Sequence, residues 1–149
     1  MKRNILVALL AFIFIFPALA QKDNKGKPTK EEMRKFKLEF LAEQMELADN
    51  QKAKFNEIYT QMENERWAVF KKMKEAEKRI KDSKNASESD YEKASKEINQ
   101  ARQQMSVIES NYDKKFEAFL SKKQIFKMKE AENAFMERMK KSRDKKRNK

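Results

Sequence analysis

"LADNQ", residues 47–51, and "LSKKQ", residues 120–124, write one frame twice, 73 residues apart. Each runs from a leucine through three small or polar residues to a glutamine. In a chain made almost wholly of helix formers, the frame reads as a helix start. Ser121 with Gln124 makes a capping box: the hydroxyl accepts from the amide three residues on, and the glutamine reaches back to the cap's own amide. Leu120 then lies just outside the helix and staples against Ile125. In the first copy, Leu47 and Gln51 hold the same places. Ala48 has no side-chain oxygen, so the cap is expected at Asp49, one position later.

Working outward from these starts, the chain is nearly all helix. Its only glycine is Gly26 and its last proline is Pro28, so no strong helix breaker follows in residues 29–149. That stretch is rich in Lys, Glu, Ala, Met, Gln and Phe and poor in β-branched residues. Thr29 and Glu32 form a second capping box, opening a first helix at 30–46. "SKNASESD", residues 83–90, separates two long helices at 50–82 and 89–119, the latter capped by Ser87 or Ser89. A fourth helix follows at 122–141.

The long helices carry heptad stripes. Phe55, Tyr59, Met62, Arg66, Val69, Met73, Ala76 and Ile80 alternate steps of four and three. So do Tyr91, Ala94, Ile98, Ala101, Met105, Ile108 and Tyr112, with Phe116, Phe119 and Leu120 extending the row. The expected fold is all-α: four helices, the two long ones forming an antiparallel hairpin that pairs into a cradle-like dimer. A hairpin that long and thin has little interior, so its seams need each other, the fourth helix and a second subunit. Arg66 is the misfit in its seam, and it either snorkels or pairs with a partner's glutamate.

Residues 1–20 read as a secretory signal peptide: a basic start at Lys2 and Arg3, an apolar run from Ile5 to Phe16, and a small-x-small end at Ala18-Leu19-Ala20. The domain plan is then a signal peptide at 1–20, a flexible lead-in at 21–28, a helical domain at 29–141 and a basic disordered tail at 142–149. The expected location is outside the cytoplasm, in the periplasm. The chain has no Cys and no His. Packing alone must stabilise it, and Ser-His or Cys-His nucleophiles are excluded. We expect no enzyme, no cofactor and no metal site.

The formal charge of +12 is concentrated at the ends. Residues 140–149 hold seven basic side chains and one acid, and residues 21–30 hold four and one. Residues 31–139 hold 23 basic and 22 acidic side chains, so the body is nearly neutral. The tail reads either as a solvated end or as an electrostatic contact for anionic phospholipid, lipopolysaccharide or acidic clients, the membrane contact being weak. Nucleic acid is not an expected partner of an exported chain.

The doubled frame, the signal sequence, the size and the helical order resemble the Spy/CpxP family of bacterial envelope-stress proteins, marked by two Leu-Thr-x-x-Gln motifs at helix starts. Leu47, Asp49 and Gln51, and Leu120, Ser121 and Gln124, stand at those places, although neither copy has the threonine. The resemblance implies a curved four-helix protomer in a cradle-shaped dimer. It implies an ATP-independent chaperone for unfolded envelope proteins, or an adaptor that represses an envelope-stress sensor. Some relatives bind metal through histidines, which this chain lacks, and the near-neutral body departs from the basic cradle of the chaperone members. A structural coiled coil of the envelope is the bland alternative.

Several apolar residues fall outside the stripes. The first helix is apolar on two sides, with Met33, Phe36 and Phe40 on one and Leu38, Leu41 and Met45 on the other. Trp67, Val107 and Phe126 also lie off the seams. The candidate client contacts are Met33, Phe36, Phe40, Leu41, Met45, Trp67 and Phe126. The same residues equally suit a dimer interface, and the sequence leaves both readings open.

Overall fold

The structure is a computed structural model that describes residues 29–147. Among these residues it is all-helical, with four helices and no strand: α1 (Lys30–Gln44), α2 (Asp49–Asp82), α3 (Glu88–Glu117) and α4 (Lys122–Arg147). The expected signal peptide and lead-in, 1–28, lie outside the described residues.

The helix starts follow from local chemistry. Thr29 Oγ1 accepts from the Glu32 amide at 3.1 Å, while the Thr29 amide donates to Glu32 at 2.7 Å. At α3 the cap is Ser87, whose amide donates to Asp90 at 2.9 Å while its hydroxyl accepts from the Asp90 amide at 3.3 Å. At α4 the amides of Ser121 and Gln124 make the same exchange, at 3.0 and 3.1 Å. At α2 the cap is Ala48, not Asp49 as expected. Asp49 is the first helical residue and pairs with Lys52 at 2.7 Å. Ala48 takes the extended cap backbone without a capping side chain, and only the glutamine half of the box forms, Ala48 N–H donating to Gln51 Oε1 at 3.1 Å.

The end of α1 is a Schellman turn. Leu47 N–H donates to the Ala42 carbonyl and Glu46 N–H to the Glu43 carbonyl, both at 3.0 Å. The turn needs a left-handed residue, and Glu46 supplies it at φ 54° where glycine is the usual choice. Glu46 also pairs with Lys127 of α4 at 2.7 Å.

α2 and α3 pack along one another, joined by Glu65–Tyr112, Arg66–Glu109 and Arg79–Glu97. Contact positions fall on α3 as they rise on α2, so the two run antiparallel. α1 packs on α4, with Phe36 and Phe40 both against Phe135, at ring separations of 6.0 and 5.8 Å. One core results, at the end where the α1–α2 and α3–α4 turns meet. It gathers Phe40 and Leu41 of α1, Phe55, Tyr59 and Met62 of α2, Tyr112 and Phe116 of α3, and Met128 and Phe135 of α4, with Leu47 and Leu120 from the turns. Beyond it, α2 and α3 continue as a two-helix stalk whose buried side chains are small: Val69, Ala76, Ala94 and Ala101.

Two further expectations change. α4 runs through Arg147, so residues expected to begin a disordered tail at 142 continue the helix. Nothing in that stretch breaks a helix, and its Lys and Arg complement the negative end of the helix dipole. Arg66 needs no partner chain: its own Glu132 and Glu109 lie 3.0 and 3.5 Å away.

Candidate functional site

The two frames meet. Leu47 and Leu120 are both buried, which sets the starts of α2 and α4 side by side. Gln124 Nε2 donates to Gln51 Oε1 at 3.0 Å, and Gln51 Nε2 donates back to Gln124 Oε1 at 3.3 Å and to the Phe119 carbonyl at 2.9 Å. Each glutamine oxygen also accepts from its own cap amide. This polar clasp sits beside the core and carries no titratable group. Its chemistry is structural: it satisfies helix-end amides and holds the two turns in register.

The candidate client contacts separate into two groups. Leu41 and Met45 are essentially inaccessible, and Phe40 is buried against Phe135. These three are corrected to core residues, because α4 covers the Phe36–Phe40 side of α1 and Leu41 and Met45 enter the shared core. Phe36 is half-buried and packs on the same ring of Phe135. The other group is accessible. Trp67 is 50% exposed and Phe126 is 63% exposed. Phe126 lies near the start of α4, ten residues before Met136, and does not line the same surface as Trp67. Met33 and Trp67, however, come together.

They line an open concavity of about 450 Å³ where the four-helix end gives way to the stalk. Met33 of α1, Trp67 and Phe70 of α2, Met105 of α3 and Met136 of α4 supply its apolar lining. Trp67 stacks on Phe70 at 5.5 Å and 27°, which fixes the ring pair on the α2 surface. Met136 is 62% exposed. Phe70 and Met136 were not among the expected contacts, and Met105 was read only as a seam residue. The i, i+3 pairing of Trp67 with Phe70 was visible in the sequence. The approach of Met136 was not, because it depends on how α4 crosses α2.

The rim is basic. Lys30, Arg34, Lys37 and Arg66 surround the apolar floor, with Glu63 as its one carboxylate. Lys30 Nζ lies 5.3 Å over the Trp67 ring. Lys37 bonds to Glu63 at 2.5 Å and lies over Tyr59 and Phe135. Burial by itself would lower the Arg66 pKa, but the nearby Glu132 carboxylate outweighs it with help from Tyr59 and Glu109, so the pKa is raised and the guanidinium stays charged. Tyr59 donates to that carboxylate at 2.5 Å, and burial first, then Glu132, pushes its hydroxyl far above the ordinary range. Among the described residues, no group of three or more His, Cys, Asp or Glu could hold a metal ion.

This arrangement offers a shallow, adaptable surface: three thioethers that reshape at low cost, an aromatic pair, and cations on stems around them. Such a surface can grip an apolar segment without demanding one shape. Comparison with known proteins finds no matching family model, no matching curated protein and no matching solved structure.

Proposed function

We propose that this protein is an ATP-independent chaperone of the bacterial envelope, related to the Spy/CpxP proteins, that holds unfolded chains on its concave face. The observation that carries this reading is the half-exposed Trp67 on a floor of Met33, Phe70, Met105 and Met136, ringed by Lys30, Arg34, Lys37 and Arg66. Large apolar side chains left in solvent mark interaction sites more often than chance scatter when they cluster. Methionine-rich clusters suit partners of no fixed sequence. The doubled Leu-x-x-x-Gln frame at two helix starts supports the family reading.

The protomer pairs into a cradle-like dimer through the α2–α3 stalk. Met73, Ile80 and Ile98 are seam residues that a single chain leaves half-buried, and a second copy covers them. The protein acts outside the cytoplasm, after removal of residues 1–20.

The test uses the chain from Gln21. It should suppress the turbidity of a chemically denatured client, without nucleotide, at near-stoichiometric amounts. Trp67 is the only tryptophan, so its emission should shift on client binding. Trp67→Ala with Met136→Ser should lose most of the suppression and leave the melting temperature nearly unchanged, because both side chains are exposed. Unchanged turbidity with the wild-type chain sinks the chaperone reading. One saturable envelope partner in its place would favour the sensor adaptor.

A further inference from the structure

We propose that the last turns of α4 dock this protein on an anionic phospholipid bilayer, with Lys140, Lys141, Arg143, Lys145 and Arg147 as the cations that meet its phosphate headgroups. The proposal is independent of the concavity at Trp67 and of the chaperone reading.

The core ends before these residues begin. Phe135 is the last buried side chain of α4, and Met139 is the last that packs against the core. From Lys140 on, the described side chains are exposed. At about 1.5 Å per residue, 140–147 carry the helix roughly 12 Å past Met139. The segment is therefore a helical rod, held straight by its backbone and covered by none of the described residues.

Its charge is unlike that of the body. Residues 31–139 balance 23 basic against 22 acidic side chains, whereas 140–149 hold seven against one. In the body, several cations facing other elements find carboxylates, Lys37 with Glu63, Arg66 with Glu132, Lys127 with Glu46 and Lys129 with Asp113, and others lie over rings, as Lys30 does on Trp67 and Arg138 on Phe40. None of the five cations named above forms an ion pair among the described residues. They are free to exchange their counterions for another anion.

The helical form decides which anion. A helix turns about 100° per residue, so these five cations point to several sides of the rod and do not converge on one spot. An enclosed phosphate needs convergent donors, whereas a plane of headgroups does not. The turns also lack an apolar face, since the other residues of 140–147 are Ser142, Asp144 and Lys146. No described helix is apolar and long enough to cross a membrane. The contact is thus electrostatic adsorption without insertion, and it should be strongly salt-dependent.

The experiment co-sediments the chain from Gln21, which keeps every described residue, with vesicles of phosphatidylcholine alone or with about one third phosphatidylglycerol. Binding is expected only with phosphatidylglycerol, falling about tenfold or more between about 50 and 500 mM salt. The quadruple variant Lys140→Ala, Lys141→Ala, Arg143→Ala, Lys145→Ala should lose about tenfold or more at low salt. A control with the same charge loss on the stalk, Lys78→Ala, Lys81→Ala, Lys93→Ala, Lys96→Ala, should lose less than about twofold. Equal losses in the two variants mean that only net charge matters, and overturn the proposal. So does equal binding to phosphatidylcholine. Release by inorganic phosphate at matched ionic strength would reveal a discrete anion site, and release by polyglutamate an acidic protein partner; either outcome overturns the bilayer assignment.

Discussion

Ala48 and Glu46 are two residues at which the chain falls short of its own local rules, and both sit in the turn between α1 and α2. Ala48 has φ −66° and ψ 152°, close to the working caps Thr29 (−63°, 161°) and Ser87 (−80°, 163°). The backbone is ready for a capping side chain that alanine lacks. Ala48→Ser should therefore stabilise the fold by about 0.5–1 kcal/mol, read as a higher midpoint in urea with an unchanged slope. Glu46 occupies a left-handed position that disfavours any residue with a Cβ. Glu46→Gly relieves that, but it loses the exposed pair with Lys127 and loosens the unfolded chain. The relief should prevail, giving a net gain of about 0.5 kcal/mol by thermal melting. An unchanged or lower midpoint would mean that the Lys127 pair outweighs the strain.

The helix starts also set a pH dependence at the scale of whole elements. Glu32 is held below its ordinary value of 4.5 by the Thr29 amide first and the Thr29 side chain second. Asp90 is held below 3.8 by the Ser87 hydroxyl and then the Ser87 amide. A depressed carboxylate binds its proton less readily in the folded state than in the unfolded one. Its contribution is fully present above the ordinary pKa and is lost as pH falls through the folded value. Stability should thus decline below about pH 4.5 as α1 and α3 lose their N-terminal anchors. Glu32→Gln with Asp90→Asn keeps polar groups at both starts but removes the titration. The variant should be less stable than the wild type at pH 7 and should converge on it near pH 2–3, measured by denaturant unfolding across about that range. A constant gap at every pH would refute the capping account. On the alkaline side, the Tyr112 hydroxyl is pushed up to about 12 by burial and then by Glu65, so it stays neutral at any ordinary pH.

Across the whole molecule, burial is uneven. Large rings and thioethers fill the four-helix end, while the stalk buries one valine and three alanines. Hydrogen exchange should follow that division. Amides of residues 55–62 and 112–116 should exchange only with global unfolding, and those of 70–82 and 88–101 faster, through local opening of the stalk. Phe116→Ala, which removes a ring packed on Phe55, should cost about 3–5 kcal/mol and bring the two rates together. A second copy closing over the stalk would slow its exchange in a concentration-dependent way, so one experiment also reads the proposed dimer.

Helix content, the two long stripes, the capping boxes at Thr29 and Ser121, and the buried leucines Leu47 and Leu120 before two helix starts were all legible in the residues, because each depends on neighbours within a few positions. Asp49 was misplaced by one position because the glutamine half of the box suffices to start α2 without a capping side chain. The ordered turns after 141 were missed for the opposite reason: charge density was read as disorder where nothing interrupts the helix. What α1 does with its two apolar sides depended on the other helices: Phe40 packs on Phe135 of α4, Leu41 and Met45 join the shared core, and Met33 is left at the rim. The Gln51–Gln124 clasp and the meeting of Trp67 with Met105 and Met136 join residues tens of positions apart. Local propensity determines where helices begin and which stripe is apolar; only packing decides which stripe finds a neighbour, because that choice is made by residues on other helices.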